Sequence, residues 1–304
     1  MAELIGGYRP LTPMKTAGSG SARWCFAVRG LERYFLKEFL TPVWPVKEDT
    51  PLGQKQCDRC EQFENQKQRL YTAASCVIGD TLTPVIDFFQ FERRYYAVSE
   101  AVADGSQSAE TMDGLDEEQK RKLLYDLALC LQRLHTQGVV HADLKPDHVL
   151  LSQEADGWRP RLIDLDSGFL TSDPPMHSRD MEGDPVYLAP EAFLRMIGQE
   201  AVLGPKLDTF AFGAMIHRLW TGELPDFSRE RYHYLYEAAL DQAEIRLSDR
   251  LPEKYCDVVR RMLAADPLDR PEDAEVTAMF DAPMQQTRSR AVRPVNGLMS
   301  RMRS

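Results

Sequence analysis

Residues 141–148 have the sequence HADLKPDH, and the short run IDLD follows at residues 163–166. The first stretch holds an acid, Asp143, suited to accept a hydroxyl proton, and a lysine, Lys145, suited to neutralise phosphate charge. The second stretch holds Asp164, and a carboxylate is a preferred ligand of Mg²⁺. Phosphoryl transfer needs these parts because its catalysis is mostly positioning and charge stabilisation. Together, the two stretches indicate a phosphoryl-transfer site.

The two stretches resemble the catalytic loop and the metal-binding loop of eukaryotic-type protein kinases, whose patterns are H-R-D-L-K-x-x-N and D-F-G. The resemblance implies that Asp143 orients the substrate hydroxyl and accepts its proton, while Lys145 stabilises the transferring phosphoryl group. It also implies that Asp164 holds Mg²⁺. His148 stands at the asparagine position of the pattern and is expected to help hold the metal through a neutral imidazole nitrogen.

Three further departures from the kinase pattern bear on activity. Ala142 replaces the arginine, which leaves no ready partner for a phosphate on the activation segment. Asp166 replaces the glycine of D-F-G, and this second carboxylate is expected to compensate in part for His148. Asp184 stands where Ser/Thr-specific kinases have a threonine, so a second acid is expected beside the catalytic one, with Lys145 neutralising it.

The sequence GDPVYLAPE at residues 183–191 is similar to the end of a kinase activation segment. From the resemblance, Asp208 is expected to brace the backbone of the catalytic loop. Glu191 is expected to form a structural ion pair with Arg270. Both roles are architectural, so they support the fold more than the activity.

Residues expected to contact ATP precede the catalytic loop. A turn containing Gly18 and Gly20 suits close approach of backbone amides to phosphates, although a surface turn explains the same glycines. Lys37 is similar to the V-A-I-K lysine that pairs with the α- and β-phosphates; the alternative is an edge-strand lysine facing solvent. The link between the lobes is expected to bind adenine through its backbone, with Ser99 as the gatekeeper beside Glu100 and Val102.

Alternating apolar runs and turn residues predict an α+β, bilobal, kinase-like fold. The expected units are an N-terminal lobe at residues 1–101, a helical C-terminal lobe at 102–281 and a basic, flexible tail at 282–304. In the first lobe, strands are predicted at residues 24–28, 33–39, 85–91 and 94–100. A strong amphipathic pattern also predicts a helix from Glu117 to Gln137.

One helix is predicted in the N-terminal lobe, at roughly residues 54–74. In the kinase family a glutamate on this helix pairs with the lysine equivalent to Lys37. The apolar spacing places Gln66 at the expected position, and Glu61 and Glu64 are acids that serve only after a shift of register. The identity of the acid therefore stays open in the sequence.

The formal charge of −10 over 304 residues argues against binding of nucleic acids or anionic membranes. Six cysteines in a chain of this length fit a reducing compartment, so a cytoplasmic location is expected. The pair Cys57 and Cys60 is a single C-x-x-C, more simply explained by two cysteines on one helix than by a zinc site. The arginines after residue 282 separate positive charge from the acidic body and allow a docking or autophosphorylated segment.

Two functions fit these residues. The first is a divergent protein serine/threonine kinase, with a bacterial origin left open, that uses ATP and Mg²⁺, or Mn²⁺, and acts on a protein substrate. The alternative is a pseudokinase that binds nucleotide or a partner protein with little or no phosphotransfer. His148, Asp184 and the missing third glycine favour the alternative, while Lys37 and Asp143 favour catalysis.

Overall fold

The computed structural model of the chain describes residues 4–16, 22–102, 106–109, 114–155 and 157–281. Within these ranges the first part of the chain is rich in β-strands and the later part is mostly helical. This is the α+β, bilobal architecture that the sequence predicted. The glycine turn with Gly18 and Gly20, and the basic segment from residue 282, lie outside the described residues.

One antiparallel sheet forms the frame of the N-terminal lobe. Its strands are β1 (Arg9–Pro10), β2 (Lys15–Thr16), β3 (Ala22–Arg29), β4 (Glu32–Phe39), β5 (Val85–Phe91) and β6 (Arg94–Glu100). The strand order is β1-β3-β4-β6-β5, and β2 also pairs with β3. The four long strands agree with the four that the sequence predicted in this lobe.

The long helix α1 (Pro51–Ser75) covers part of one face of this sheet. It begins where Thr50 accepts a hydrogen bond from a backbone amide of the first turn at 3.0 Å. Its Phe63 ring lies 5.2 Å, centroid to centroid, from both Phe39 and Tyr95 of the sheet. Aromatic packing of this kind fixes the helix against the sheet. The opposite face is covered by the N-terminal segment around Tyr8.

The C-terminal lobe contains the remaining elements of the described chain. Its strands are short: β7 (Gln107–Ser108), β8 (Val139–Val140), β9 (Val149–Glu154), β10 (Gly157–Leu162) and β11 (Phe169–Leu170). Its helices are α2 (Glu117–Thr136), α3 (Pro190–Met196), α4 (Lys206–Thr221), α5 (Leu235–Leu240), α6 (Glu253–Met262) and α7 (Asp273–Asp281).

Helix α2 leads directly to the catalytic loop. Asp116 and Gln119 form a reciprocal capping box at its start, which satisfies amides that the helix leaves unpaired. Leu124, Leu127 and Leu131 on its apolar stripe are buried in the core, as the sequence predicted. No helix in the described ranges is both long enough and apolar enough to cross a membrane.

Candidate active site

Strand pairing brings the two sequence stretches with the motifs side by side. β8 pairs with β11, so Val140 lies opposite Phe169, and β9 pairs with β10, so Val149 lies opposite Leu162. The loop at residues 141–148 connects β8 to β9, and the loop after Leu162 connects β10 to β11. Both loops therefore run between the same two pairs of strands, which places Asp143 and Asp164 in one site.

Asp208 of α4 braces the backbone of the loop at residues 141–148. The Asp208 carboxylate accepts hydrogen bonds from the backbone amides of His141 at 2.7 Å and Ala142 at 2.9 Å. Ala142 has a φ of 65°, a conformation that costs a non-glycine residue about 1–3 kcal/mol. The bonds to Asp208 hold this turn in place. The bracing role expected of Asp208 is confirmed.

Asp208 is itself held by His135, a residue that the sequence analysis did not single out. The two ring nitrogens of His135 lie 3.0 Å from the carboxylate of Asp208 and 2.8 Å from that of Asp273. Burial lowers the pKa of His135, but the hydrogen bonds to the two aspartates outweigh burial and raise it to about 9. His135 is therefore an imidazolium at neutral pH, and each of its N–H groups donates to one carboxylate.

The raised pKa of His135 makes stability depend on pH. Its pKa is about 9 in the folded chain against 6.5 for an ordinary histidine, so the folded state binds the proton more tightly. The stabilisation is complete below pH 6.5 and is lost as the pH rises through 9, by an amount on the order of 3 kcal/mol. Urea unfolding at a series of pH values is expected to show this fall.

The matched variants for this prediction are His135→Gln and His233→Gln, because His233 is an exposed histidine of the same lobe. The His135 variant is expected to remove the fall in stability between pH 6.5 and 9, and the His233 variant is expected to keep it. An unchanged slope in His135→Gln would show that other groups produce it.

The carboxylate of Asp143 is held by two donors. Lys145 donates to one oxygen at 3.0 Å, and the backbone amide of Asp184 donates to the other at 2.9 Å. The Lys145 ammonium also lies 3.9 Å from the Asp184 carboxylate. Asp184 therefore lies beside Asp143 with Lys145 close to both carboxylates, as the sequence predicted.

His148 connects the two loops through its ring. Its Nδ1 lies 2.8 Å from the carbonyl oxygen of Asp143, and because a carbonyl only accepts, Nδ1 carries the proton and donates. Its Nε2 lies 3.7 Å from the Asp164 carboxylate. Burial lowers the pKa of His148 below its ordinary value. The neutral ring thus directs an unprotonated nitrogen toward Asp164.

Lys37 crosses from the N-terminal lobe and meets two acids. Its ammonium lies 2.7 Å from Asp164 and 2.7 Å from Asp166. Burial lowers the pKa of Lys37, but Asp166 and Asp164 outweigh burial and raise it. Burial raises the pKa of Asp164, yet the charge and hydrogen bond of Lys37 outweigh it, so the net pKa is lowered. The alternative of a solvent-facing Lys37 is therefore wrong.

The helix facing Lys37 presents a lysine, and this corrects the expectation that Gln66 lies toward the site. Gln66, which the apolar spacing placed toward the site, is exposed, whereas Lys67 is buried and donates to the backbone carbonyl of Asp166. Glu64 instead accepts a hydrogen bond from the hydroxyl of Tyr95 at 3.0 Å. Asp166, expected to support the metal, has its carboxylate 2.7 Å from Lys37, the same distance as the Asp164 carboxylate, and its metal role stays a prediction.

The sheet face that carries Lys37 is lined with aromatic side chains. Residues paired across strands share a face, and Lys37 pairs with Trp24 while Phe35 pairs with Phe26. The rings of Trp24 and Phe35 stack at 5.2 Å between centroids. Ser99 lies opposite Phe35 on the same face. The sheet face next to Lys37 is thus aromatic, and it is called the aromatic face below. The sequence analysis did not use this feature.

The segment linking the lobes begins at the end of β6. Ser99 is partly buried, Glu100 is exposed and Val102 is partly buried. The amide of Ala101 donates to the carbonyl of Arg33 at 3.3 Å, which ties the segment to β4. Ser99 therefore lies on the aromatic face, whereas Glu100 pairs with Tyr34 and lies on the opposite face.

The ion pair expected between Glu191 and Arg270 is confirmed. Arg270 donates to both oxygens of Glu191, at 2.7 and 2.8 Å, and its side chain is fully buried. It also donates to the carbonyls of Ala264 at 2.9 Å and Lys206 at 2.7 Å. Every donor of a guanidinium needs a partner in the core, and this arrangement supplies them.

The residues at the site fit a divalent cation bound together with a nucleotide. Asp164 offers carboxylate oxygens, which are the ligands that Mg²⁺ and Mn²⁺ prefer, and His148 adds an unprotonated nitrogen on the same side. The described residues contain no cluster of three or more histidine, cysteine or acidic ligands. Such a cation would therefore depend on phosphate oxygens and water for its remaining ligands. Within these residues the C-x-x-C cysteines are free thiols.

Comparison with known proteins places the chain in a family. The protein kinase domain model matches residues 55–280, which is most of the chain. The chain therefore belongs to the protein kinase domain family. The match begins within α1, so Lys37 and the strands around it precede the matched range.

Relatives in this family share only part of their length with the chain. Hormonally up-regulated neu tumor-associated kinase of Mus musculus is 30% identical over 205 residues, covering 65% of this chain and 27% of that protein. MAP kinase-interacting serine/threonine-protein kinase mnk-1 of Caenorhabditis elegans is 23% identical over 230 residues, covering 64% and 32%. The matched part of the chain thus spans about a quarter to a third of the length of these relatives.

Proposed function

We propose that the chain is an ATP- and Mg²⁺-dependent protein kinase that transfers the γ-phosphoryl group of ATP to serine or threonine hydroxyls of a protein substrate. The observation that carries this proposal is the convergence of Lys37, Asp143 and Asp164 at one site. The Lys37 ammonium lies 2.7 Å from the Asp164 carboxylate. The His148 ring donates to the Asp143 carbonyl through Nδ1, and its Nε2 lies 3.7 Å from the Asp164 carboxylate. These groups come from different lobes and loops, and phosphoryl transfer needs them together.

The preference for serine and threonine draws on the relatives. Serine/threonine-protein kinase ppk6 of Schizosaccharomyces pombe is 27% identical over 192 residues, and the Caenorhabditis elegans relative is also named a serine/threonine-protein kinase. Lys145 supports the same substrate class, because its place in the catalytic loop is similar to that of the lysine in H-R-D-L-K.

Each residue of the site has a part in the proposed reaction. Asp143 orients the substrate hydroxyl and accepts its proton, and the amide of Asp184 fixes the carboxylate for this task. Lys145 stabilises negative charge on the group in transfer. Asp164 and His148 hold the divalent cation, which when bound neutralises charge on the phosphates. Lys37 binds the α- and β-phosphates.

The reaction can be tested with the purified chain, ATP labelled at the γ-phosphate and a generic protein substrate. With Mg²⁺ or Mn²⁺ present, the substrate is expected to become labelled. Breaking the labelled protein down to its amino acids is then expected to yield phosphoserine and phosphothreonine. A parallel reaction with a chelator supplies the control, because the site needs a divalent cation. Label no higher than in the chelator control would remove the proposed activity, and label on tyrosine alone would overturn the substrate class.

A pseudokinase is the second candidate, and the aromatic sheet face beside Lys37 is the feature that distinguishes the two candidates. Phe35 stands two residues before Lys37, where the V-A-I-K pattern has alanine, and its ring stacks on Trp24. If these rings fill the base site, nucleotide binding is weakened. If they form a stacking surface, the same rings bind the base.

We expect Phe35→Ala to weaken ATP binding by about tenfold, because a base stacked on an aromatic ring gains about 1–3 kcal/mol. Calorimetric titration with Mg²⁺ and ATP measures the change. Phe91→Ala is the matched control, since Phe91 packs on the opposite face of the sheet. Stronger ATP binding by Phe35→Ala would favour the pseudokinase, because removing a ring that blocks the base site opens it.

A further inference from the structure

Lys67 is a buried charge on the core-facing side of α1. It is only 8% exposed, and its ammonium lies 5.7 Å from the Phe63 ring centre and 5.9 Å from that of Phe39. It donates to the backbone carbonyl of Asp166. A lysine in such surroundings costs free energy unless anions lie close to it. The position therefore requires acids nearby.

Lys67 and Lys37 reach the same loop in different ways. Burial lowers the pKa of Lys67, and the attraction of the Asp166 and Asp164 charges offsets this only in part. Lys37 lies 2.7 Å from each of the same two carboxylates. Two lysines of the N-terminal lobe thus hold one loop: Lys37 pairs with both carboxylates, and Lys67 donates to the backbone carbonyl of Asp166.

The two aspartates have different tasks once a metal is bound. Asp164 faces His148 and is the proposed metal ligand, so its charge is then shared with the cation. Asp166 remains as the carboxylate that keeps Lys37 in place. The amide of Asp166 also donates to Asp164 at 3.2 Å, so a shift of Asp166 moves the metal ligand as well.

We propose that Asp166 supplies the carboxylate that positions Lys37, and that Lys67 ties the loop to α1 through the backbone carbonyl of Asp166. In protein kinases an active site needs an ion pair between the strand lysine and a glutamate of the helix. Here the acid comes from the loop and the helix contributes a base. Lys67 and Asp166 are thus positioning residues, and this role rests on the proposed function because Lys37 acts on the nucleotide.

The test exchanges the two charges. Asp166→Gly removes the acid, Lys67→Glu places an acid on the helix, and the double variant does both. Each single variant is expected to raise KM for ATP by about tenfold, as expected for loss of an interaction worth about 1.4 kcal/mol. In the double variant, KM for ATP is expected to return most of the way to the parent value, because a glutamate on α1 then faces Lys37.

The inference is overturned if Asp166→Gly leaves KM for ATP unchanged. It is also overturned if the fold increase in KM for the double variant equals the product of the two single fold increases. Compensation distinguishes positioning from structural damage, since two independent defects would add in free energy. Lys55→Glu is the matched control, because it makes the same charge change at an exposed site of the same helix. It is expected to leave KM for ATP unaltered.

Two additions keep the test decisive. If Lys67→Glu does not fold, Lys67→Met replaces it, and a KM for ATP equal to that of the parent would contradict the inference. Urea unfolding of the four chains without nucleotide is also expected to show compensation in the double variant. A parent chain that does not bind ATP would refute the proposed function alone, whereas additive unfolding energies would refute the charge exchange alone.

Discussion

Replacing Asp143 with asparagine is expected to lower kcat for phosphoryl transfer by about 10²- to 10⁴-fold while ATP still binds. The asparagine keeps the shape of the side chain and one oxygen that accepts the Asp184 amide, which now lies at 2.9 Å. It removes the negative charge that takes the substrate proton. Steady-state kinetics at saturating ATP, together with calorimetric ATP binding, measures both quantities.

Asp147→Asn provides the control for this variant. Asp147 lies in the same loop, four residues away, and is exposed. The change of charge and volume is identical, so any effect of net charge on the loop is common to both variants. Activity of Asp143→Asn equal to that of Asp147→Asn would contradict the role of Asp143 as the proton acceptor.

Breaking the ion pair between Glu191 and Arg270 is expected to give the largest loss of stability. Arg270→Met leaves Glu191 as a buried carboxylate without its cation and removes donors from three backbone carbonyls. Loss of one partner of a buried pair costs about 3–5 kcal/mol. Urea unfolding at neutral pH is expected to show this loss of free energy.

The exposed pair Arg261 and Glu275 supplies the comparison. Their side chains are 39% and 47% exposed, so solvent screens the attraction. Arg261→Met is therefore expected to cost about 0–1 kcal/mol, the usual range for surface ion pairs. Equal losses in Arg261→Met and Arg270→Met would mean that burial does not set the strength of the Glu191 pair.

The lobes and the principal site residues could be predicted from the sequence because their signals are local. Strands β3 to β6 follow from runs of aromatic and β-branched residues between turns. Asp143 and Asp164 follow from motifs whose residues are adjacent in the chain. Their approach in space depends on the pairing of β8 with β11 and β9 with β10, which the family resemblance supplied and the residues alone did not.

The sequence analysis did not single out Lys67, because the kinase pattern has a glutamate on the helix equivalent to α1. The buried positions Cys60, Lys67, Leu70, Tyr71 and Ala74 follow helical spacing, so the apolar stripe itself placed a lysine toward the core. A charged residue inside such a stripe is a signal of a buried partner. The partner is on a loop about a hundred residues away, and no local pattern reveals it.

His135 and Phe35 were missed for different reasons. His135 lies beside Leu134 in a strongly amphipathic helix, and nothing in α2 indicates that Asp208 and Asp273 reach its ring. Phe35 looked like an ordinary strand residue. Its importance appears only when the register places it next to Ser99, on the face that carries Lys37. Both depend on tertiary contacts that propensity and spacing do not encode.

The most direct test of the convergence on one metal-bound nucleotide is calorimetric titration of ATP with and without Mg²⁺, using the parent chain, Asp143→Asn and Asp164→Asn. Mg²⁺ is expected to strengthen ATP binding by the parent and by Asp143→Asn, because Asp164 holds the cation in both. Asp164→Asn is expected to lose most of that gain. An equal gain from Mg²⁺ in all three chains, or ATP binding by none of them, would contradict the assigned site.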